Sequence, residues 1–129
     1  MTETVYVVVT EPNETRAAVL IASELSQALR VRLTIVEFQT TTTNATLGAS
    51  PAPAKELADW LRGLGLDASV RIYVCSDPRE AFHFVFRPQS LVVVGGTRGW
   101  WPTRAARMRN ALEAAGHRVL FVDEVTHAA

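Results

Sequence analysis

An open α/β sandwich built on a mainly parallel sheet is the fold class this sequence predicts, and three observations carry the prediction. First, five strand-like apolar runs alternate with four helix-like segments along 129 residues. That order requires crossover connections, which are right-handed and place helices on both faces of the sheet. Second, the runs 5–9 (Val-Tyr-Val-Val-Val) and 91–94 (Leu-Val-Val-Val) are unbroken, as in strands buried on both faces. Third, the second of these runs leads straight into Gly95-Gly96-Thr97-Arg98-Gly99. Glycines there permit a sharp turn and close approach of a ligand, and open α/β sheets bind ligands at the carboxyl ends of their strands.

Each element follows in order. After the first strand, Glu11-Pro12-Asn13 is a turn composition, with Asn13 the expected N-cap of a helix over about 14–29. Ala18, Ile21, Ala22, Leu25 and Leu29 recur along that helix at the spacing of one apolar face. The second strand, 31–38, puts Leu33 and Ile35 on one face and Val36 and Phe38 on the other. Residues 39–53, with a threonine run and two prolines, read as a long surface loop, a connector or a lid. A second helix over 55–64 presents Leu57, Leu61 and Leu64 on one face and ends at Gly63 and Gly65.

Val70, Ile72 and Val74 alternate through the third strand. Asp77-Pro78-Arg79-Glu80 then combines an N-cap aspartate, a proline at the first helical position and a glutamate at the third. The helix so started is apolar nearly all round and stops before Pro88. The fourth strand is 91–94. The last helix, about 102–115, turns Ala105, Met108, Leu112 and Ala115 inward and stops at Gly116, and 118–122 is the fifth strand.

Composition bounds the function. Hydrophobic residues make up 48% and charged residues 20%, the balance of a globular protein with one core, here a single domain over 1–129. Thirteen basic and 13 acidic side chains cancel, which argues against nucleic-acid binding and against docking on an anionic membrane. No apolar stretch approaches the roughly 20 residues of a membrane span. The start, Met-Thr-Glu-Thr, is unlike a signal peptide, and Cys75 has no second cysteine to pair with. A cytoplasmic protein without membrane insertion is the expectation.

Three segments resemble the universal stress protein family. Residues 10–26 match the spacing of its first βα unit, with Ala18, Ala22, Glu24 and Leu25 where its alanine-rich helix has similar residues. Ser76-Asp77-Pro78-Arg79-Glu80-Ala81 is similar to its third helix start, and Val94-Gly95-Gly96-Thr97-Arg98-Gly99 to its glycine turn. The resemblance covers nearly the whole chain. It implies strand order 3-2-1-4-5, frequent dimerisation and, in one branch, ATP binding. That branch carries Gly-x-x-Gly, nine residues, then Gly-Ser or Gly-Thr, and an aspartate after the first strand. Here Arg109 and Asn110 stand where the spacing places glycine and serine, or Pro102 and Thr103 if the loop is shortened, and Thr10-Glu11-Pro12 replaces Asp-Gly-Ser.

The resemblance therefore implies a stress-linked binding or regulatory protein outside the ATP-binding branch. The alternative is a switch or weak ATPase holding ATP or AMP. Thr10, Glu11, Val36, Gly95, Gly96, Thr97, Arg98, Gly99 and Thr103 form the candidate ligand site. Trp100 and Trp101 either anchor a partner or ligand or fold down and plug the pocket. Arg98, Arg104, Arg107 and Arg109 surround the site, to meet an anion or simply to be solvated. The implied homodimer would pair through the last strand (Arg118, Val119, Leu120, Phe121, Val122), an exposed edge. An unknown protein partner is also expected.

Catalysis finds little support in the residues. Gly-x-Ser-x-Gly and Gly-Lys-Ser/Thr are absent. His83, His117 and His127 lack the spacing of a helical metal site, and Glu11, the best-placed carboxylate, has no evident acid–base partner. Cys75 reads as a packed thiol.

Overall fold

The structure, a computed structural model, describes residues 4–40, 52–88, 90–96 and 103–123. Five strands, β1 (Thr4–Val8), β2 (Arg32–Thr40), β3 (Ser69–Cys75), β4 (Leu91–Gly96) and β5 (Arg118–Asp123), alternate with four helices. The helices are α1 (Pro12–Leu29), α2 (Ala52–Gly63), α3 (Pro78–Val85) and α4 (Arg104–Ala114). The sheet order is β3-β2-β1-β4-β5 and every neighbouring pair is parallel, as the sequence and its family resemblance predict.

Alternation along the interior strands divides the core in two. Val5, Val7, Leu33, Ile35 and Val93 meet Ala18, Val19 and Ala22 of α1 and Leu61 of α2 on one face. Tyr6, Val8, Val36, Phe38, Val92 and Val94 meet Phe82 and Val85 of α3 and Ala105 and Leu112 of α4 on the other. Phe38, Phe82 and Phe86 form an aromatic cluster on that second face, with ring centroids 5.7–6.1 Å apart in edge or tilted contacts. Such geometry adds to plain area burial.

Several expected boundaries shift, each for a local reason. Helix α1 begins at Pro12 with Glu11 as N-cap, not at Asn13, because Pro12 fits the first helical position. The expected loop 39–53 is shorter at both ends: Gln39 and Thr40 pair with Val74 and Cys75, and α2 starts at Ala52. The remaining part of that loop lies outside the described residues. Leu64 is half exposed rather than on the core face. Helix α2 stops at Gly63, and Gly65 turns with φ +70°, so that Leu66 donates to the Leu61 carbonyl (3.1 Å) and packs inward instead.

Ala115 is likewise exposed, because α4 ends at Ala114 and Gly116 (φ +92°) reverses the chain, with His117 donating to the Leu112 carbonyl. Pro102 lies outside the described residues; α4 starts at Arg104, not at residue 102. Strand β4 continues through Gly96, so no turn occurs at Gly95-Gly96. Strand β3 is an edge: Tyr73 and Cys75 pack inward while Ile72 and Val74 face solvent, and of the alternating set only Val70 packs against the α2 face. Phe84, on the outward side of the all-round apolar α3, is 88% exposed.

Candidate functional site

Strand order reverses between β1 and β4, where α1 leaves towards one face and α4 towards the other. The carboxyl ends of those strands are the ligand crevice of such sheets. Thr10 closes the first of them. Its hydroxyl donates to the Gly95 carbonyl at 2.8 Å and its N–H donates to Thr15 Oγ1 at 2.9 Å, with the residue itself buried. One side chain thus ties the end of β1 to β4 and to the first turn of α1. Glu11 is exposed in extended backbone (φ −70°, ψ 150°), and its side chain caps nothing.

Gly95 and Gly96 are required by packing. A Cβ on Gly95 would stand 2.7 Å from the Glu14 carbonyl carbon, closer still to its oxygen, and 3.1 Å from Ala18 Cβ. On Gly96 it would meet the Phe121 ring at 2.5 Å and Ala105 Cβ at 2.6 Å. The missing side chains let α1 and α4 rest against β4 from opposite faces, so both glycines are buried.

Val36 lies in the core, and its carbonyl accepts from Val9 N–H at 2.9 Å. Thr103 is the N-cap of α4, its hydroxyl accepting from Ala106 N–H at 3.1 Å. Thr97, Arg98, Gly99, Trp100 and Trp101 lie outside the described residues. Thr10, Gly95 and Val36 thus converge near the ends of β1 and β4, Val36 from mid-β2 opposite Val8, while Glu11 stands apart in solvent.

A small pocket of about 150 Å³ opens beside this point, between α1 and α2. Its walls include Val9, Thr10, Leu57 and Val70, with Arg16, Glu37 and Glu56 as the charged groups. Of the expected residues that the structure describes, only Thr10 lines it. Glu37 was detectable, as the lone charge inside the apolar run 33–38. Arg16 and Glu56 left no comparable signal, because one charge on a helix is ordinarily solvated. Among the described residues two carboxylates outnumber one guanidinium, and the Arg16 guanidinium sits 5.4 Å from the Trp60 ring centroid. The local charge disfavours phosphate. A cavity of this size accepts a single-ring group, whereas ligand pockets usually run to about 300–1,000 Å³.

The remaining reactive candidates disperse. Burial, then Asp77 and Glu80, pushes the Cys75 thiol up, which keeps it protonated and weakly nucleophilic. Asp77 caps α3 by accepting from Arg79 N–H at 3.0 Å, and the Arg79 side chain holds its carboxyl below the ordinary range. His117 packs 5.5 Å from the Phe86 ring, and its Nε2 is buried without a hydrogen-bond partner among the described residues. Burial, aided by nearby His83, pulls its pKa below 6.5. Among the described residues no group of three or more His, Cys, Asp and Glu gathers to hold a metal, and no helix is long and apolar enough to cross a membrane.

Strand β5 ends the sheet order, leaving its outer side without a paired strand among the described residues. Val122 is buried, Leu120 is 38% exposed, and Arg109 lies 5.0 Å above the Phe121 ring. Arg118 at its start is exposed and Val119 half-buried.

A five-stranded parallel sheet in this order, with paired helices on each face and a crevice between β1 and β4, defines a doubly wound α/β domain. The fold is that of the universal stress proteins, in keeping with the motif resemblance. A universal stress protein from Archaeoglobus fulgidus is similar with a TM-score of 0.67 at 12% identity, over 95% of each chain. A family member from Burkholderia pseudomallei is similar with a TM-score of 0.60 at 18% identity, over 93% of this chain and 95% of that one. A universal stress protein in complex with cAMP is similar with a TM-score of 0.62 at 22% identity, over 93% of this chain and 96% of that one. No protein-family model and no curated protein matches the sequence.

Proposed function

We propose that this chain is a small cytoplasmic binding and regulatory protein of the universal stress kind, outside the ATP-binding branch, and a homodimer through β5. One observation carries the reading. Where that branch has an aspartate, Thr10 offers an uncharged hydroxyl already donated to the Gly95 carbonyl. The adjoining pocket supports it, being of single-ring size and dominated by Glu37 and Glu56. Binding at the ends of β1 and β4 would act by reshaping the segment from Gly95 to Thr103 and the partner surface beside it.

A second reading, a nucleotide-binding switch using Gly96, Thr97, Arg98, Gly99 and Thr103, is favoured by the similar protein whose structure contains cAMP. Thermal melting with millimolar ATP, ADP, AMP and cAMP, with magnesium present, separates the two. A ligand at 100 times its Kd stabilises by about 2.7 kcal/mol. No shift with any nucleotide is the expected result. A clear shift abolished by Gly99→Ala would establish the switch instead. Sedimentation velocity tests the dimer: Leu120→Lys should convert it to monomer, and a wild-type chain monomeric at high concentration would refute the pairing.

A further inference from the structure

The amino end of the sheet carries a different surface from the carboxyl end. An open groove of about 1200 Å³ runs along the amino ends of β1, β2 and β3. Its floor is polar where an interior parallel strand is ordinarily apolar on both faces. Thr4 of β1 and Thr34 of β2, only 8% and 7% exposed, line it together with Arg32, Ser69 and Arg71. The register places them on one face: Thr4 opposite Arg32, Tyr6 opposite Thr34, Thr34 opposite Ser69, and Val36 opposite Arg71. That is the face covered by α3, but α3 has only eight residues, and its Phe82 and Val85 cluster with Tyr6, Val8, Val36 and Phe38. The amino half carries hydroxyls and guanidinium groups instead.

The charge is one-sided. Among the described residues Arg30, Arg32, Arg71 and Arg87 line the groove against one carboxylate, Asp67. Among the described residues the guanidinium groups of Arg30, Arg32 and Arg71 have no ion-pair or hydrogen-bond partner. A neutral chain thus concentrates unpaired cations over buried hydroxyls, all of them donors to an oxyanion.

We infer that this groove binds a small oligophosphate, a compound carrying two or more linked phosphoryl groups. Arg71 stands four residues further along its strand than Arg32, one strand away. The rise of about 3.3 Å per residue and the strand spacing of about 4.8 Å separate their backbones by roughly 14 Å. Guanidinium forks reaching in from both positions span a chain of phosphoryl groups better than a single phosphate. The hydroxyls of Thr4, Thr34 and Ser69 complete the donor set between them. This site is independent of the crevice at the carboxyl ends.

Isothermal titration with sodium tripolyphosphate as probe tests the inference, against sodium sulfate at equal ionic strength. The wild type should bind tripolyphosphate saturably at one to one and sulfate negligibly. R32E/R71E should weaken binding by at least about tenfold per arginine, hydrogen bonds to charged groups being worth that much. K55E, exposed on the first turn of α2 at the opposite end of the sheet, should leave it unchanged. The single exposed variant R71Q gives the same reading should the double variant melt early. Absence of saturable binding by the wild type overturns the inference. So does loss of binding in K55E with retention in R32E/R71E. Tighter binding of a single-stranded DNA 15-mer than of tripolyphosphate, lost in R32E/R71E, also overturns it by assigning the groove to nucleic acid.

Discussion

Replacing Gly95 with alanine tests how the crevice is built. The new methyl would face the Glu14 backbone of α1, with the carbonyl carbon at 2.7 Å and Ala18 Cβ at 3.1 Å. Neither obstacle is the end of a flexible side chain, so relief requires α1 to move off β4. Overpacking of this kind costs about 1–3 kcal/mol, more where backbone resists. Alanine regains about 0.5–1 kcal/mol over glycine in backbone entropy. With backbone as the obstacle the cost lies at the upper end, about 3 kcal/mol, and the net destabilisation should be about 2 kcal/mol. For a domain of this size that lowers Tm by about 8 °C, at roughly 4 °C per kcal/mol.

The Thr10 hydroxyl bond to the Gly95 carbonyl would stretch with it, loosening the ends of β1 and β4 together. Urea unfolding followed by circular dichroism measures the effect, with Gly63→Ala as the control, since a Cβ there meets nothing within 4 Å. Gly95→Ala within about 0.5 kcal/mol of wild type, with an unchanged m-value, would refute the packing role assigned to that glycine.

The other expectations are smaller in scope. Thr10→Val should destabilise by about 1–2 kcal/mol in the same urea assay, because it leaves the Gly95 carbonyl without its buried donor. Leu61→Ala should cost about 2–5 kcal/mol and Leu64→Ala under about 0.5 kcal/mol, since only Leu61 is in the core. His117, whose folded pKa is depressed by burial, is neutral in both states above about pH 6.5. Below that the unfolded chain takes up the proton first, so its contribution is lost as pH falls towards the folded pKa. Stability measured from pH 7.5 downward should therefore drop less in His117→Phe than in wild type.

Much of the fold was legible because its signals are local or periodic. The unbroken runs around Val7 and Val93 marked strands buried on both faces, and Asp77-Pro78 marked the start of α3 from capping chemistry alone. What failed depended on position in the sheet. Ile72 and Val74 have a strand's alternation, yet nothing in the alternation shows that β3 lies at the edge. Leu64 keeps helical spacing past a helix that glycine has already stopped. The site was harder still. Gly95 and Gly96 stand out in sequence for a ligand turn and for close helix packing alike, and only the distances to Glu14, Ala18, Phe121 and Ala105 reveal the packing. The pocket charges Arg16 and Glu56 come from two helices that only tertiary structure brings together.

The proposal that this fold has left the ATP-binding branch is tested most directly at the crevice itself. Amide resonances of Thr10, Gly95, Gly96 and Thr103 would be followed by heteronuclear NMR as magnesium–ATP is titrated to millimolar concentration. The account predicts that these four resonances stay in place. Saturable one-to-one shifts at Thr10, Gly95 and Thr103 would contradict it and make the crevice a nucleotide site.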